Sequence, residues 1–521
     1  MRITNKIIQN NALTNINANK ILQDKLNTQM ATGKKNVNAS DDPVVAIRAL
    51  RLRSNATEIS QYCKKNIPDA EEWLNNTEDA LSSAVEVVTD MYEQVNKGTD
   101  SYLSSDNRDA ILEQLKQLRD ELYSSGNATY ADRSLFTGYR TDMTLTFTED
   151  TKKTYSMTEQ LTKSSIDNIT YVNTGSLSSV TESNYNAAGA TKETDVTSSS
   201  LHRIRLAYDN LDTSAKVPLS DSTSTKNIVI SYTDSGGTPH TLSTTTAADA
   251  TAGYNMYNST TGALSSGTDA VYIPETGEII LSDTAYATLQ GLGSTSEIDV
   301  TYAKTDWEKY DLYPEHYMYC ESTYTKTDST TGILKYNAEY LTGNAAKQAI
   351  SYDVGSNQTL QVNTTADECY TQDIGRDVED LIDATQAVSD MEDVVEKLTA
   401  MLKDTSYDTA AVQSRLDAAN KALDTLKEKM KSLYSSSISS MQGYLDTFNL
   451  AATKVGSRSS RLDLIESRLA TQKTSIDTAV DNNENADLTE VAIDLSSAEL
   501  SYSAALTATG KVIQTSLVDF I

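Results

Sequence analysis

Apolar side chains recur near both ends of the chain at alternating steps of three and four, and the pattern lapses in between. Ile67, Ala70, Leu74, Thr77, Leu81, Ala84, Val88, Met91 and Val95 follow the heptad spacing that holds one seam on one helix face. Gly98 predicts the end of that helix, and Ile111, Leu115, Leu118 and Leu122 predict another after it. The opening segment is a weaker case. Its stripe of Ile8, Ala12, Leu13, Ile16, Leu22, Leu26 and Met30 is diluted by Asn10, Asn11, Asn15, Asn17 and Asn19. Asparagine disfavours helix interiors, so this helix is predicted to be marginal on its own.

The last third returns to helices. Ile374, Leu381, Val388, Val395 and Leu402 stand seven apart, and Val412, Leu416, Ala419, Leu423, Leu426, Met430 and Leu433 follow. A further run continues from Ile438 through Met441, Leu445, Phe448, Ala452 and Val455 to Leu462. The final seam holds Leu488, Val491, Leu495, Ala498, Tyr502, Ala505 and Val512, with Ala492, Leu506 and Ile513 beside it. Heptads sustained this long point to coiled-coil-like packing.

From about Asp142 to about Thr365 the texture changes to Thr, Ser, Tyr, Gly and Asp. Short β-like runs at Met143 to Phe147, Asn227 to Thr233, Glu278 to Leu281 and Glu297 to Tyr302 predict strands. Ser235-Gly236-Gly237 and Pro274-Glu275-Thr276-Gly277 predict turns between them. The expected fold is therefore α+β. A long antiparallel coiled-coil-like helical bundle is drawn from residues 1–140 and 365–521, and a β-rich domain of one or two units is inserted at 141–364.

Composition narrows the function. The chain has 521 residues and a formal charge of -29, with 73 acidic against 44 basic residues. A phosphate backbone or an anionic membrane surface is repelled by that balance, so neither nucleic acid nor lipid is an expected partner. No run approaches the roughly 20 apolar residues that span a bilayer. The start MRITNKIIQNNALTNINANK lacks a basic segment followed by an apolar core, so export is expected without a cleaved signal. Cys63, Cys320 and Cys369 are distant in sequence and odd in number, which suits idle or buried thiols better than a disulfide framework or metal site.

The remaining residues form no recognisable catalytic constellation. His202, His240 and His316 lie outside any His-Glu-x-x-His frame and are expected at the surface. Gly291-Leu292-Gly293 lacks the third glycine and following helix of a dinucleotide turn. Asp481 to Asp487 resembles a calcium loop superficially, but Ala486 stands at the required glycine and Ala492 at the bidentate glutamate, so a helix-helix connection explains it better. Asp41-Asp42 suits helix capping more than acid-base work. No catalytic residue, metal site or cofactor is expected, and the chain reads as a non-enzyme.

After the first helix stands Ala31-Thr32-Gly33-Lys34-Lys35-Asn36-Val37-Asn38-Ala39-Ser40-Asp41-Asp42-Pro43. Gly33 suits a helix C-cap, Ser40 or Asp41 can cap the next helix, and Pro43 suits its first turn. As a pattern, Gly33, Asn38, Ser40, Asp41, Asp42 and Pro43 resemble the N-terminal signature of the flagellin-related axial proteins of the bacterial flagellum. The Asp-Asp-Pro form is closer to the hook-filament junction branch than to flagellin. Ser134-Leu135-Phe136-Thr137-Gly138-Tyr139-Arg140, the Ser351 to Asn363 stretch and the ending Ser516-Leu517-Val518-Asp519-Phe520-Ile521 agree with it.

The resemblance covers about residues 1–140 and 365–521. It implies an extracellular structural subunit that self-assembles as a homo-oligomer. It further implies contact with a neighbouring hook-associated protein and flagellin, and a cytoplasmic export chaperone before secretion. The expected assembly interface is Ile8, Leu13, Ile16, Leu22 and Leu26 near the start, with Leu488, Val491, Leu495, Tyr502, Leu506, Ile513, Leu517 and Phe520 near the end. A Tyr, Thr and Ser-rich insert suits a wet outer surface. Flagellin itself, or an adhesive module on a helical stalk, are the alternatives.

Overall fold

The computed structural model describes residues 5–100, 103–234, 236–293, 297–325, 331–342 and 348–518. Its helices are α1 (Asn5–Thr32), α2 (Pro43–Gln61), α3 (Ile67–Gly98), α4 (Ser105–Ser125), α5 (Ala250–Asn255), α6 (Asp283–Gln290), α7 (Gln372–Lys403), α8 (Thr409–Glu484) and α9 (Leu488–Val518). One widened π turn, Tyr62–Asn66, joins α2 to α3. Long helices at both ends with β structure between them bear out the expected class. The chain divides into two compact units.

The larger unit holds residues 72–351 and 361–459. The seam read over α3 is buried at every one of its nine positions, Thr77 included, because Thr77 Oγ1 donates to Trp73 O at 2.8 Å. Ile111, Leu115, Leu118 and Leu122 of α4 are buried as well. Gly98 is held by a close approach: a Cβ there would stand 2.1 Å from the Tyr434 ring of α8. The α7 seam departs from the strict heptad. Ile374, Leu381 and Val388 are buried, but Val395 and Leu402 are only half-buried, and Met391, Val394, Leu398 and Met401 take their place. At this end α7 meets the irregular segment after residue 173, with Lys397 Nζ donating to Val180 O at 3.0 Å. The buried stripe therefore turns around the helix to follow a different neighbour.

The inserted region builds strands β1 (Thr129–Tyr130), β2 (Arg133–Ser134), β3 (Thr151–Leu161), β4 (Ile166–Asn173), β5 (Thr197–Arg205), β6 (Val229–Thr233), β7 (Pro239–Thr241) and β8 (Thr244–Thr246). Then come β9 (Tyr257–Asn258), β10 (Ala263–Leu264), β11 (Ala270–Ile273), β12 (Glu278–Leu281), β13 (Ile298–Trp307), β14 (Tyr319–Thr325) and β15 (Thr331–Tyr336). One sheet runs β4-β5-β12-β11-β8 and the other β15-β14-β3-β13-β6-β7. Met157 of β3, Ile204 of β5, Tyr272 of β11, Ile279 of β12, Val300 of β13 and Cys320 of β14 share one apolar cluster, so the two sheets have a common core. The Met143 to Phe147 run is not a strand. It keeps a single bridge, Thr146 to Leu312, because the Leu145 and Thr146 amides donate to Asn127 Oδ1 at 2.8 and 3.1 Å instead of to a neighbouring strand.

Two further expectations are corrected here. Several tyrosines face the core rather than water, and each carries its hydroxyl to a carboxylate: Tyr155 to Glu315 at 2.5 Å, Tyr319 to Glu321 at 2.7 Å, Tyr444 to Asp377 at 2.7 Å, and Tyr302 to Glu159. A phenylalanine fills the same volume but removes one of the donors that each of these acids receives. His316 is buried, not exposed. Its Nε2 donates to Thr144 O at 3.1 Å, and burial pushes its pKa down to about 4. Arg203 and Arg205 fix β5 to α7. Arg203 meets Asp167 at 2.7 Å and Asp380 at 3.0 Å, and Arg205 meets Asp377 at 2.6 Å.

Candidate assembly interface

The smaller unit holds residues 1–71, 352–360 and 460–521, so both chain ends lie in it. The hairpin β16 (Ser351–Gly355) and β17 (Gln358–Gln361) is anchored to it by Asn66 Nδ2, which donates to Asp353 O at 2.7 Å. Helices α1 and α9 pair antiparallel along a small cluster of Leu26, Val491 and Ala498, with Leu495 and Ala486 packed against it.

The segment carrying the motif is what brings them together. Gly33 adopts φ +68°, which an L side chain resists, and its N–H closes α1 on Gln29 O at 2.8 Å. The chain then forms a short antiparallel bridge with the α8-α9 connection. Lys35 N donates to Glu484 O at 2.7 Å, and Ala486 N donates to Gly33 O at 2.9 Å. Lys34 Nζ reaches Asn485 Oδ1 at 2.6 Å and Lys35 Nζ reaches Asn482 O at 2.6 Å. Glu484 is the hub, its carboxylate taking both Arg53 Nε and an Arg53 terminal nitrogen at 2.5 Å. The hydrogen bonds from Arg53 hold that carboxyl below its ordinary range. Asp487 then caps α9, accepting from Thr489 N at 2.9 Å.

The cap of α2 is Asp42, whose Oδ1 accepts from Val44 N at 3.0 Å and Val45 N at 3.1 Å, with Pro43 in the first turn. Ser40 and Asp41 do not take that role. Asp42, immediately before Pro43, has the extended backbone a cap needs, and Asp41 instead accepts from Asn38 N at 3.1 Å.

The expected interface residues separate by helix face. Leu26 and Val491 are buried, Ile16, Leu495 and Tyr502 are half-buried, and Ile8, Leu13, Leu22, Leu488 and Leu506 are exposed. Leu13 does not belong to the Leu26 stripe: thirteen residues at about 100° each place it about 140° away. Ile513 and Leu517 lie on the helical backbone of α9, and Phe520 lies outside the described residues.

A second set of apolar residues escapes the seam reading. Ile7 and Ile21 on α1, Val44, Ile47 and Leu50 on α2, and Ile493 and Leu500 on α9 are exposed. Ile493 and Leu500, 66% and 73% exposed, stand about 160° to 180° around α9 from Val491. Their seven-residue spacing is the signal that was available in the sequence. Of the 21 large exposed hydrophobic residues among the described positions, 15 fall in this smaller unit, far beyond its share of the chain. Large exposed apolar patches on soluble proteins are commonly association surfaces. The unit's charge agrees: it holds 15 Lys and Arg against 17 Asp and Glu, so nearly all of the acidic excess lies in the other unit. Copies brought together here meet little net repulsion.

The α1-α9 pair is thus closed along one face and carries exposed apolar residues on its outer faces. Residues 3–141 match the family model described as the bacterial flagellin N-terminal helical region. The chain is 29% identical over 143 residues to flagellar hook-associated protein 3 of Salmonella typhimurium, covering 27% of this chain and 45% of that protein. It is 32% identical over 130 residues to flagellar hook-associated protein 3 of Escherichia coli, covering 25% and 40%. The match thus spans less than half the length of either relative. Among solved structures, FlgL of Xanthomonas campestris is 14% identical, covering 82% of this chain and 99% of that one, with a TM-score of 0.29. The resemblance to flagellin-like axial proteins read from the sequence is borne out, and the named relatives are hook-associated proteins rather than flagellins.

Proposed function

We propose that this chain is a structural subunit of the bacterial flagellum at the junction between hook and filament, built into the flagellum through its terminal helices. The observation that carries the reading is the α1-α9 pair, which buries Leu26, Val491 and Ala498 and leaves Ile21, Ile493 and Leu500 open. In this reading the partners are further copies of the chain, a neighbouring hook-associated protein and flagellin. A cytoplasmic chaperone holds the C-terminal helix before export. Residues 141–364 form the domain presented to the surrounding medium. Among the described residues, no helix is long and apolar enough to cross a membrane, which fits such a subunit.

Labelled protein in flagellated cells provides the test. A single spot at the end of each hook is expected, whereas label along the whole filament favours the flagellin alternative. Removal of residues 141–364 addresses the adhesive alternative: adhesion lost with motility intact overturns the junction reading.

A further inference from the structure

The open faces of α2 and α9 differ in charge. On α2, Val44, Ile47, Arg48 and Arg51 fall within a sector of about 100°, all exposed, and the helix carries three arginines against one glutamate. Arg53 is already taken by Glu484, while Arg48 and Arg51 have no ion-pair partner among the described residues. On α9, Ile493 and Leu500 form an apolar ridge, and Glu490, Asp494 and Glu499 stand within about 100° of it. These three carboxylates are exposed, and the basic residue of the same helix, Lys511, stands at least twelve residues further along it. Each face therefore pairs an apolar centre with a charged rim, the composition of a protein-protein contact, and the two rims are opposite in sign.

We infer that the α2 face of one copy, Val44, Ile47, Arg48 and Arg51, docks on the α9 face of a second copy, Ile493 and Leu500 rimmed by Glu490 and Asp494. This rests on the assembly reading above and specifies its contact. Like faces do not pair, because two arginine rims or two carboxylate rims repel. The contact is consequently heterologous: each copy offers one face of each kind, so assembly continues into a ring or helix instead of stopping at a two-fold dimer.

Two full-length variants test it by sedimentation and electron microscopy. One is Arg48→Glu with Arg51→Glu, and the other is Glu490→Lys with Asp494→Lys. Wild-type protein is expected to assemble above a threshold concentration. Each variant alone should need at least about ten-fold more protein, corresponding to loss of roughly one close charge contact. An equimolar mixture of the two should assemble near the wild-type threshold, since every contact between unlike copies restores opposite rims. That rescue also shows that both variants are folded. Variants that each assemble at the wild-type threshold, or a mixture that fails where circular dichroism shows both folded, overturn the pairing and leave these faces to a different flagellar protein. Wild-type protein that stays monomeric at every concentration overturns the assembly reading itself along with it.

Discussion

Glu159 offers a sharp test of how the larger unit is built. It stands on β3 in the core common to both sheets, where the Tyr302 hydroxyl donates to it and Ala207 N donates at 2.8 Å. Loss of hydration outweighs those two bonds and lifts its pKa from 4.5 to about 7. The folded value is the higher one, so the folded chain holds more protons between pH 4.5 and 7 than the unfolded chain, and stability falls as pH rises through that window. A difference of about 2.5 units at about 1.4 kcal/mol each amounts to about 3 kcal/mol. Glu159→Gln keeps the shape and the acceptor but cannot ionise. Relative to wild type, the variant should gain about 3 kcal/mol between pH 4.5 and pH 8. Urea unfolding followed by circular dichroism across that range measures it. Any fixed cost of the amide group shifts both ends equally, so a wild-type-minus-variant difference that stays constant with pH shows an ordinary titration and refutes the reasoning.

Three further outcomes are expected. In dilute monomer, hydrogen exchange over about the first 40 and last 30 residues should approach unstructured rates while the α3 seam stays protected, with slowing of about a hundred-fold or more on assembly. Glu484→Ala should loosen the clasp on residues 33–35 by about 1 kcal/mol, limited because Arg53 is largely exposed and screened by water; amide exchange at Lys35 and Ala486 in the assembled protein checks it. Since the Glu484 carboxyl is held below its usual range, its contribution is present at neutral pH and lost as pH falls through the carboxylate range. Gly98→Ala should displace the Tyr434 ring and destabilise the larger unit by about 1 to 3 kcal/mol in thermal unfolding.

The readable parts of the sequence were those whose partners lie in the same chain. The α3 seam, from Ile67 to Val95, is buried at each position because one continuous face meets one continuous set of neighbours. The α7 heptad drifted after Val388 because its neighbour changes along its length, a fact no local spacing contains. Met143 to Phe147 has strand composition, but the Leu145 and Thr146 amides are taken by the side chain of Asn127, a partner no local spacing contains. The Asp42 cap needed only the neighbouring Pro43 to be placed, since a cap is fixed by the first helical residue.

Helices α1, α2 and α9 were the hardest to read, and the reason bears on function. A helix that covers one stripe and exposes a polar back has strong periodicity, whereas a helix with apolar residues on two faces appears weakly patterned. Ile493 and Leu500 lie nearly opposite Val491 and Ala498, so each stripe dilutes the other in any single-period reading. Leu13 and Ile21 do the same to Leu26 on α1. The blurred pattern is therefore what two partners impose on one helix: one stripe meets the other chain end, and the second has no cover within the described residues.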